Sequence, residues 1–526
     1  MEVQEEEEVK IEKEKIKKKS MKKVIILIMG VLSISISQAQ NINDALRYST
    51  GEISGTARFQ SMSGAFGALG GDLSAISINP AGSAVFTSSY ASFSLGVDNK
   101  DTDTNYFNGR GNASNSDFNL NQGGGVFIFE NKKTDSPWKK FSLAVEYDIT
   151  KNYDNDWKAN GTGNTSIGEY FLANAQGLRF DEISAFPGET TSQAYSEIGS
   201  AYGYTNQQAF LGYDSYILEP ANTNDDNTLY SSNIAGNSFQ QDYNYIATGY
   251  NGKISFNIGT QYGENTYFGL NLNSHFLNYE RFTSFYETNN DATSVVKEVL
   301  FENTLATNGS GFSFQLGGIF KLTNELRAGI TYESPTWMSL EDETTQYVET
   351  FVSDENLGDF YQVVDPNILN IFESYRIQTP SKITGSLAYV FGTQGLISVD
   401  YSRRDYSKTK FKPTSDPAFS AENALMANVL TAASTYKIGA EYKVKQLSFR
   451  GGYRIEESPY ADDTIIGDLT GYSLGLGYNF GNTNLDLAYT SSKQDRSEQF
   501  YNVGLTNPVA LDTKNSNITL TLGFKL

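Results

Sequence analysis

His275 is the only histidine in a chain of 526 residues that has no cysteine. A Ser-His or Asp-His hydrolase would need that ring. No nucleophile motif stands beside it, and it shares strand parity with Asn271 and Asn273, so it reads as a hydrogen-bonded wall residue. Thiolate metal sites, multi-histidine clusters, redox pairs and cysteine nucleophiles are all excluded. Asp98, Asp101, Asp103 and Asn105 could gather oxygen ligands for Ca²⁺, as could residues 224–227, but neither run has EF-hand spacing and both read as solvated acidic loops. Asn112-Ala113-Ser114 and Asn164-Thr165-Ser166 fit a glycosylation pattern that is frequent by chance. The formal charge of −21 repels nucleic acid and offers anionic lipid no polybasic patch. No cofactor, no metal and no enzymatic activity are expected.

The remaining charged residues follow a different logic, because they recur at every second position. Glu146, Asp148, Lys253, Arg327, Glu333, Asp400, Lys437, Glu441, Lys443, Arg450, Arg454 and Asp486 all lie on one face of segments whose other face is apolar. In Tyr472, Leu474, Leu476, Tyr478 and Phe480 the apolar face is continuous, while Gly471, Ser473, Gly475, Gly477 and Asn479 make the other. This template predicts strands at 88–97, 121–130, 138–150, 252–262, 266–287, 308–321, 325–334, 382–391, 396–411, 433–445, 446–457, 469–480, 485–496 and 515–526. They number fourteen, and their connections alternate between long (98–120, 151–251, 288–307, 335–381, 412–432, 458–468, 497–514) and short. A soluble sandwich or propeller does not require that alternation, whereas an outer-membrane barrel does, with short periplasmic turns and long outer loops. The apolar face then meets lipid, because a charge at the midplane would cost roughly 2–4 kcal/mol there. The charged face lines the lumen, with His275, Arg327, Asp400, Lys437, Glu441, Arg450 and Arg454 as its marked residues. Tyr262, Tyr442, Tyr478 and Phe480 suit the interfacial girdles.

The start of the chain reads as targeting. Residues 1–20 are a mixed Glu/Lys run resembling an upstream extension; from Met21 a Met-Lys-Lys head, an apolar run Val24 to Ile36 and Ser37-Gln38-Ala39 form a signal peptide over 21–39. The mature chain is expected to begin at Gln40. No later run of 18 apolar residues exists, so membrane residence must use strands.

Fourteen strands enclose more space than wall side chains fill, so the segment 40–86 is expected to plug the bore of the 87–526 barrel. Its key residues are Gly64, Gly67, Gly70, Gly71, Asp72 and Asn79-Pro80-Ala81-Gly82, small residues and turn formers that let backbone approach a wall. A short helix is expected near Leu73 to Ile76. Here the chain resembles the FadL/TodX family of outer-membrane transporters, through Gly64 to Asp72 and the Asn79-Pro80-Ala81 triplet placed just before the first strand. The resemblance implies an all-β fold, a fourteen-stranded antiparallel transmembrane barrel with an N-terminal hatch in its lumen. It also implies diffusion of long-chain fatty acids or aromatic hydrocarbons through it, usually with lateral exit into the membrane. Similar proteins are also labelled haemin receptors, and one branch serves protein secretion; a barrel that receives secreted protein partners is the alternative function.

Capture of an apolar solute needs a foothold outside. Trp337, Met338, Leu340, Phe351, Phe360, Tyr361 and Phe372 in 335–381 are the candidates, against the simpler reading that they pack the loops on each other. Gly123-Gly124-Gly125 is the expected weak point in the wall, and Ser166 to Ala175 a short helix in the 151–251 connection. The expected partners are a hydrophobic small molecule and outer-membrane lipid, with the barrel as a monomer. Nothing resembles a nucleotide site, so passage is passive.

Overall fold

A computed structural model describes residues 41–133 and 135–526. The upstream extension and the signal peptide lie outside the described residues. Fourteen strands close into one antiparallel barrel: β1 (Tyr90–Tyr106), β2 (Gly109–Glu130), β3 (Trp138–Asn152), β4 (Phe239–Tyr262), β5 (Thr266–Thr288), β6 (Val296–Lys321), β7 (Leu326–Glu333), β8 (Lys382–Phe391), β9 (Gly395–Asp405), β10 (Ala432–Val444), β11 (Leu447–Glu456), β12 (Leu469–Asn479), β13 (Thr483–Gln499) and β14 (Pro508–Lys525). Each pairs with its sequence neighbour, and β14 returns to β1 in register from Tyr90↔Lys525 to Asn105↔Ala510. Closure leaves no free edge, which is what lets a sheet sit in hydrocarbon.

The two faces meet different surroundings. Phe93, Val97, Leu143, Val145, Phe256, Ile258, Leu474, Leu476, Leu487 and Leu520 point outward and are exposed, while Ser142, Glu146, Asn257, Ser473, Thr519 and Thr521 point inward and are buried. Tyr262, Tyr442, Tyr478 and Phe480 are exposed at the periplasmic ends. Tight turns join that side, with Gly263 at φ +59° and Gly392 at φ +56°, a conformation glycine adopts without strain.

Several segments expected as outer loops are strand instead. β1 and β2 continue outward as one hairpin through 98–120, β6 fills most of 288–307, β14 begins at Pro508, and 335–381 holds a hairpin of Trp337–Asp354 with Gly358–Val364. In the other direction, β9 stops at Asp405, where a turn at Tyr406–Lys408 replaces the continuous strand expected to 411. Above the membrane both faces of a strand meet water or protein, so the contrast that marks the transmembrane part is absent. The long connection after β3 contributes a strand at Asn155–Gly163 that stays on β4, then helices Gly168–Ala175, Thr191–Tyr202 and Tyr204–Asp214. Those helices cap the mouth over a core rich in aromatic rings, including Trp157, Tyr170, Phe171, Tyr195, Phe210, Phe285 and Phe301.

Candidate functional site

The segment from Asn41 to Phe86 lies inside the bore. A helix at Ile42–Ser49, capped by Asn41, is followed by a strap at 50–54 and a compact run of short turns, with 3₁₀ turns at Ser74–Ser77 and Pro80–Val85. Such short turns pair only part of its backbone internally, so the wall supplies partners for other groups. Asn257 Nδ2 of β4 donates to Pro80 O at 2.9 Å, Asn271 Nδ2 of β5 to Ile76 O at 2.9 Å, Gln315 Nε2 of β6 to Ser77 O at 3.0 Å and Arg327 Nη1 of β7 to Leu69 O at 3.1 Å. Asp400 of β9 accepts the N–H groups of Phe66 and Gly67, each at 3.0 Å to Oδ2. Ser63 N–H reaches Ser473 Oγ at 3.0 Å and Ala57 N–H reaches Thr521 Oγ1 at 2.7 Å.

The residues singled out in this segment act together. Gly64, Gly70 and Gly71 all take positive φ. Gly71 N–H bonds Gly82 O at 3.1 Å, and Asp72 accepts from Thr56 Oγ1 at 2.7 Å and Ser74 N–H at 3.1 Å. Asn79 donates to Gly67 O at 2.7 Å and Gly318 O at 3.0 Å while its Oδ1 caps Ala81 N–H. Pro80 begins the final 3₁₀ turn, and Pro80, Ala81 and Gly82 are all buried.

The wall answers with glycines, of which the sequence reading places only Gly475 on the inward face. A Cβ built at Gly269 would stand 2.2 Å from the Pro80 carbonyl carbon, at Gly329 2.2 Å from Gly67 O, at Gly452 2.5 Å from the Met62 carbonyl carbon and at Gly475 2.3 Å from Ser61 Cβ. These are inward positions of β5, β7, β11 and β12, and the alternation of small with large residues along those strands was the available signal.

The charged residues divide into two groups. Glu441 accepts from Arg58 of the inner segment at 3.0 Å and from Arg450 at 2.6 Å, and Arg450 continues to Asp486 at 2.6 Å. The second group lines a lower cavity of about 240 Å³: Lys253, His275, Glu333, Lys382, Asp400, Arg404 and Lys437. Glu333 bridges Lys382 at 2.6 Å and Arg404 at 2.7 Å. His275 Nε2 lies 2.8 Å from Ser313 Oγ. Among the described residues no carboxylate contacts its other ring nitrogen, so this pair has no orienting third member. Arg454 pairs with Glu456 at 3.1 Å, beside an upper cavity of about 650 Å³. The upper cavity is lined by Ile42, Leu46, Leu425, Val429, Ile465 and Ile466, by the cations Arg47, Lys100, Lys151, Arg454 and Arg496, and by the carboxylates Glu52, Asp98, Asp117, Asp154, Glu456, Glu457 and Glu498. Both cavities touch the strap at 50–53.

The proposed capture residues do not form one surface. Met338 and Leu340 point inward and are buried, Trp337 is exposed on the opposite face, Phe351 and Tyr361 pair at 5.0 Å on the outer hairpin, and Phe360 and Phe372 turn to Tyr216 and Tyr204.

One seam of the wall is incomplete. The β2–β3 ladder runs from Glu130↔Lys140 up to Gln122↔Asp148 and stops. Gly123, Gly124 and Gly125 are inside the intact ladder, so the weak point sits above them. A bulge between Ser94 and Leu95 leaves Asn121 unpaired, and from there outward β2 bonds β1 alone while β3 and its continuation follow β4. The hairpin tip closes the gap at the top, with Thr104 Oγ1 donating to Lys158 O at 2.6 Å and Thr162 N–H to Asn108 Oδ1 at 2.9 Å. The result is a seam without backbone pairing, here called the side window, whose two edges, Asn115 and Asp117 against Lys151, Asn152, Asp154 and Asn155, also line the upper cavity and are crossed by the Asn152 Nδ2 to Asp117 bond at 3.3 Å.

A family model for outer membrane protein transport proteins (OMPP1/FadL/TodX) matches residues 221–526. Among solved structures, a Pseudomonas aeruginosa FadL homologue aligns at a TM-score of 0.52 and 12% identity, over 91% of this chain and 99% of that one. The P. putida toluene transporter TodX aligns at 0.49 and 13%, over 90% and 99%. No curated protein sequence matches the chain. A family match over more than half the chain, on a closed fourteen-stranded barrel, places it plainly: it belongs to the OMPP1/FadL/TodX family, outer-membrane channels for hydrophobic compounds.

Proposed function

We propose that this channel passes long-chain amphiphiles with an anionic head group, fatty acids foremost, from the outside into the membrane through the window between β2 and β3. The observation that carries this reading is the meeting of the upper cavity with the unpaired seam. A volume of about 650 Å³ lies within the roughly 300–1,000 Å³ of ordinary small-molecule sites. Its aliphatic lining rewards an alkyl chain by about 0.8 kcal/mol per buried methylene. Lys100 and Lys151 offer cations that a plain hydrocarbon would not use, whereas Arg47 and Arg496 are already paired with Asp44 and Glu498. Below, the lower cavity is ringed by charge and the inner segment fills the bore, so an alkyl chain gains nothing by continuing along the axis.

The chain has no cysteine, which makes the test direct. Ala113→Cys on β2 and Asp156→Cys on the β3 continuation, joined by a short bis-maleimide, tether the two window edges. In outer-membrane vesicles, uptake of a labelled long-chain fatty acid is expected to stop on tethering and return when a cleavable tether is cut. Undiminished uptake through a tethered seam would remove the window from the pathway. Toluene taken up faster than the fatty acid would remove the anionic head group from the substrate description.

A further inference from the structure

Lys253 carries an ammonium that is buried in the bore without a partner. It projects inward from β4, is 8% exposed and lines the lower cavity, yet among the described residues it makes no hydrogen bond and no ion pair within 4.0 Å. Its directly opposite neighbours in the sheet are Asp148 on β3 and His275 on β5. Asp148 turns Oδ2 to Ser77 Oγ of the inner segment at 2.6 Å, and its Oδ1 is sealed from solvent. The tautomer of His275 follows from the hydrogen bonds that lead to it. Asn273 Nδ2 can only donate, and it donates to Ser313 Oγ at 3.1 Å. The serine hydroxyl in turn donates to His275 Nε2 at 2.8 Å, which puts the ring proton on Nδ1. That Nδ1–H has no acceptor among the described residues, and His275 lines the same cavity. Two donors on adjacent strands, with Cβ atoms roughly 4.5–5.5 Å apart as in any direct cross-strand pair, therefore face one hydrated space.

We propose that this corner of the lower cavity binds a small oxyanion of the phosphate type, with Lys253 Nζ and His275 Nδ1–H donating to two of its oxygens. A buried charge needs a partner. The cavity, at about 240 Å³, far exceeds the roughly 10–15 Å³ that one water requires, so a hydrated anion fits. The carboxylates around it are engaged elsewhere. Glu333 is held by Lys382 at 2.6 Å, Arg404 at 2.7 Å and Gln315 Nε2 at 3.1 Å. Asp400 takes the Phe66 and Gly67 N–H groups, Glu456 pairs with Arg454 at 3.1 Å, and Glu457 accepts from Ser434 N–H at 2.8 Å. Glu52, on the exposed strap, accepts only from Asn152 N–H at 3.5 Å. Among the cations, Lys437 of β10 lines the same cavity and also has no hydrogen bond or ion pair among the described residues. The ammonium groups of Lys253 and Lys437 are thus the open charges of the wall. The strap above and the inner segment below leave no apolar path for an alkyl tail, so the occupant is a small polar anion distinct from the solute of the upper cavity. This site does not depend on the window between β2 and β3.

The probe is inorganic phosphate. Equilibrium dialysis of the purified barrel, in an uncharged detergent and at fixed ionic strength, is expected to show saturable binding of radiolabelled phosphate to a single site. Lys253→Met removes a charge-assisted bond and is expected to weaken that binding about tenfold or more, while His275→Phe, which removes a neutral donor, weakens it about fivefold. Lys253→Arg keeps the charge and is expected to stay within about threefold of the unaltered protein. Lys151→Met, in the upper cavity, is expected to leave phosphate binding unchanged. Heat-modified mobility on gels verifies that each variant barrel is folded, and Lys253→Gln takes the place of the methionine variant if that one does not fold. Phosphate retained in the Lys253 variants but lost in Lys151→Met would move the anion to the upper cavity and overturn the assignment. Absence of saturable binding to the unaltered protein would mean that water alone solvates Lys253, and would overturn it as well.

Discussion

Arg58 and Glu441 meet in the bore with Nε to Oε2 at 3.0 Å, an ion pair between the inner segment and β10 in which the carboxylate has no exposure to solvent. The same carboxylate accepts from Arg450 at 2.6 Å, and Arg58 Nη1 also reaches Gly71 O at 3.3 Å. Arg450 stays on the Glu441 carboxylate when Arg58 is removed, so the loss is that of the charge-assisted bonds Arg58 itself makes. Arg58→Ala is expected to weaken docking of residues 55–72 by about 2 kcal/mol, whereas Arg58→Lys keeps the charge and loses only part of that. Limited proteolysis from the periplasmic side, or larger and noisier conductance in planar bilayers, measures it. A silent, protease-resistant Arg58→Ala channel would show that the turns around Gly64 to Gly71 hold themselves.

The wall glycines make a sharper prediction, since their effect is steric and local. At Gly269 a methyl group would meet Pro80 and Ala81 backbone at 2.2 and 2.3 Å, with no flexible side chain to give way. Gly269→Ala is therefore expected to displace the Pro80–Val85 turn and raise basal conductance. Gly385→Ala is the matched control, for a Cβ there meets nothing within 4 Å. Equal conductance in the two variants would refute close approach at β5.

Much of this was legible because the membrane writes a two-residue period. Leu474 and Leu476 face lipid while Ser473 and Gly475 face the bore, and that contrast located all fourteen strands. It fades where both faces are wet, so the outward halves of β1 and β2, with runs such as Asn112-Ala113-Ser114-Asn115-Ser116, read as loop although they form a long hairpin. The inner segment was legible from its own turn chemistry, in Asn79-Pro80 and the paired Gly70-Gly71. Its partners were not, since Gly329 against Gly67 or Asn271 against Ile76 are contacts between distant parts of the chain that no local pattern encodes. The window was misplaced onto Gly123 to Gly125 for a related reason. Where a ladder ends depends on which neighbour each strand follows, and only the bulge at Ser94 and Leu95 with the turn of β3 toward β4 decides that.

Glu287 predicts a pH dependence of the outer cap. It stands at the outer end of β5, beyond Asn278 and Glu280 where outward side chains have turned polar, and is buried. It accepts from Ser166 Oγ, from Ile167 N–H at 3.0 Å and from Gln241 Nε2 at 2.7 Å, tying the start of the Gly168–Ala175 helix to the barrel. Burial pushes its carboxyl up to about 7 against the pull of those three donors. A folded-state value above the unfolded one means the protonated form is favoured on folding. The contribution is complete below about pH 4.5 and is lost as pH rises through about 7, to the extent of about 3 kcal/mol. Protection from hydrogen exchange over residues 164–238, taken relative to the intrinsic base-catalysed rate, is expected to fall between pH 6 and about pH 8.5 in the unaltered protein and to stay level in Glu287→Gln. Lower protection at the acid end would reverse the sign and defeat the assignment.

The mouth itself is stoppered by the connection between β13 and β14. Phe500 stacks on Tyr243 with ring centres 4.1 Å apart and planes at 17°, and Tyr501 lies 4.5 Å from Tyr170. Gly504, at φ +68°, brings the loop backbone against Glu169 and Tyr170, where a Cβ would stand 2.2 Å from Glu169 O. Gln499 and Pro508, at the two ends of this connection, line the upper cavity, so whatever loosens the loop opens that cavity from above. Phe500→Ala removes a ring from a packed aromatic cluster, a change that costs about 3 kcal/mol or more when the site does not collapse. It is expected to speed hydrogen exchange at 500–507 and to raise the uptake rate at low solute concentration, while the melting of the transmembrane barrel is unchanged. Phe500→Leu, which refills most of the volume without the stacking, is expected to fall between. Unchanged uptake alongside faster exchange would mean that solutes enter beside the aromatic stopper rather than past it, through the gap bordered by Ile465 and Leu425.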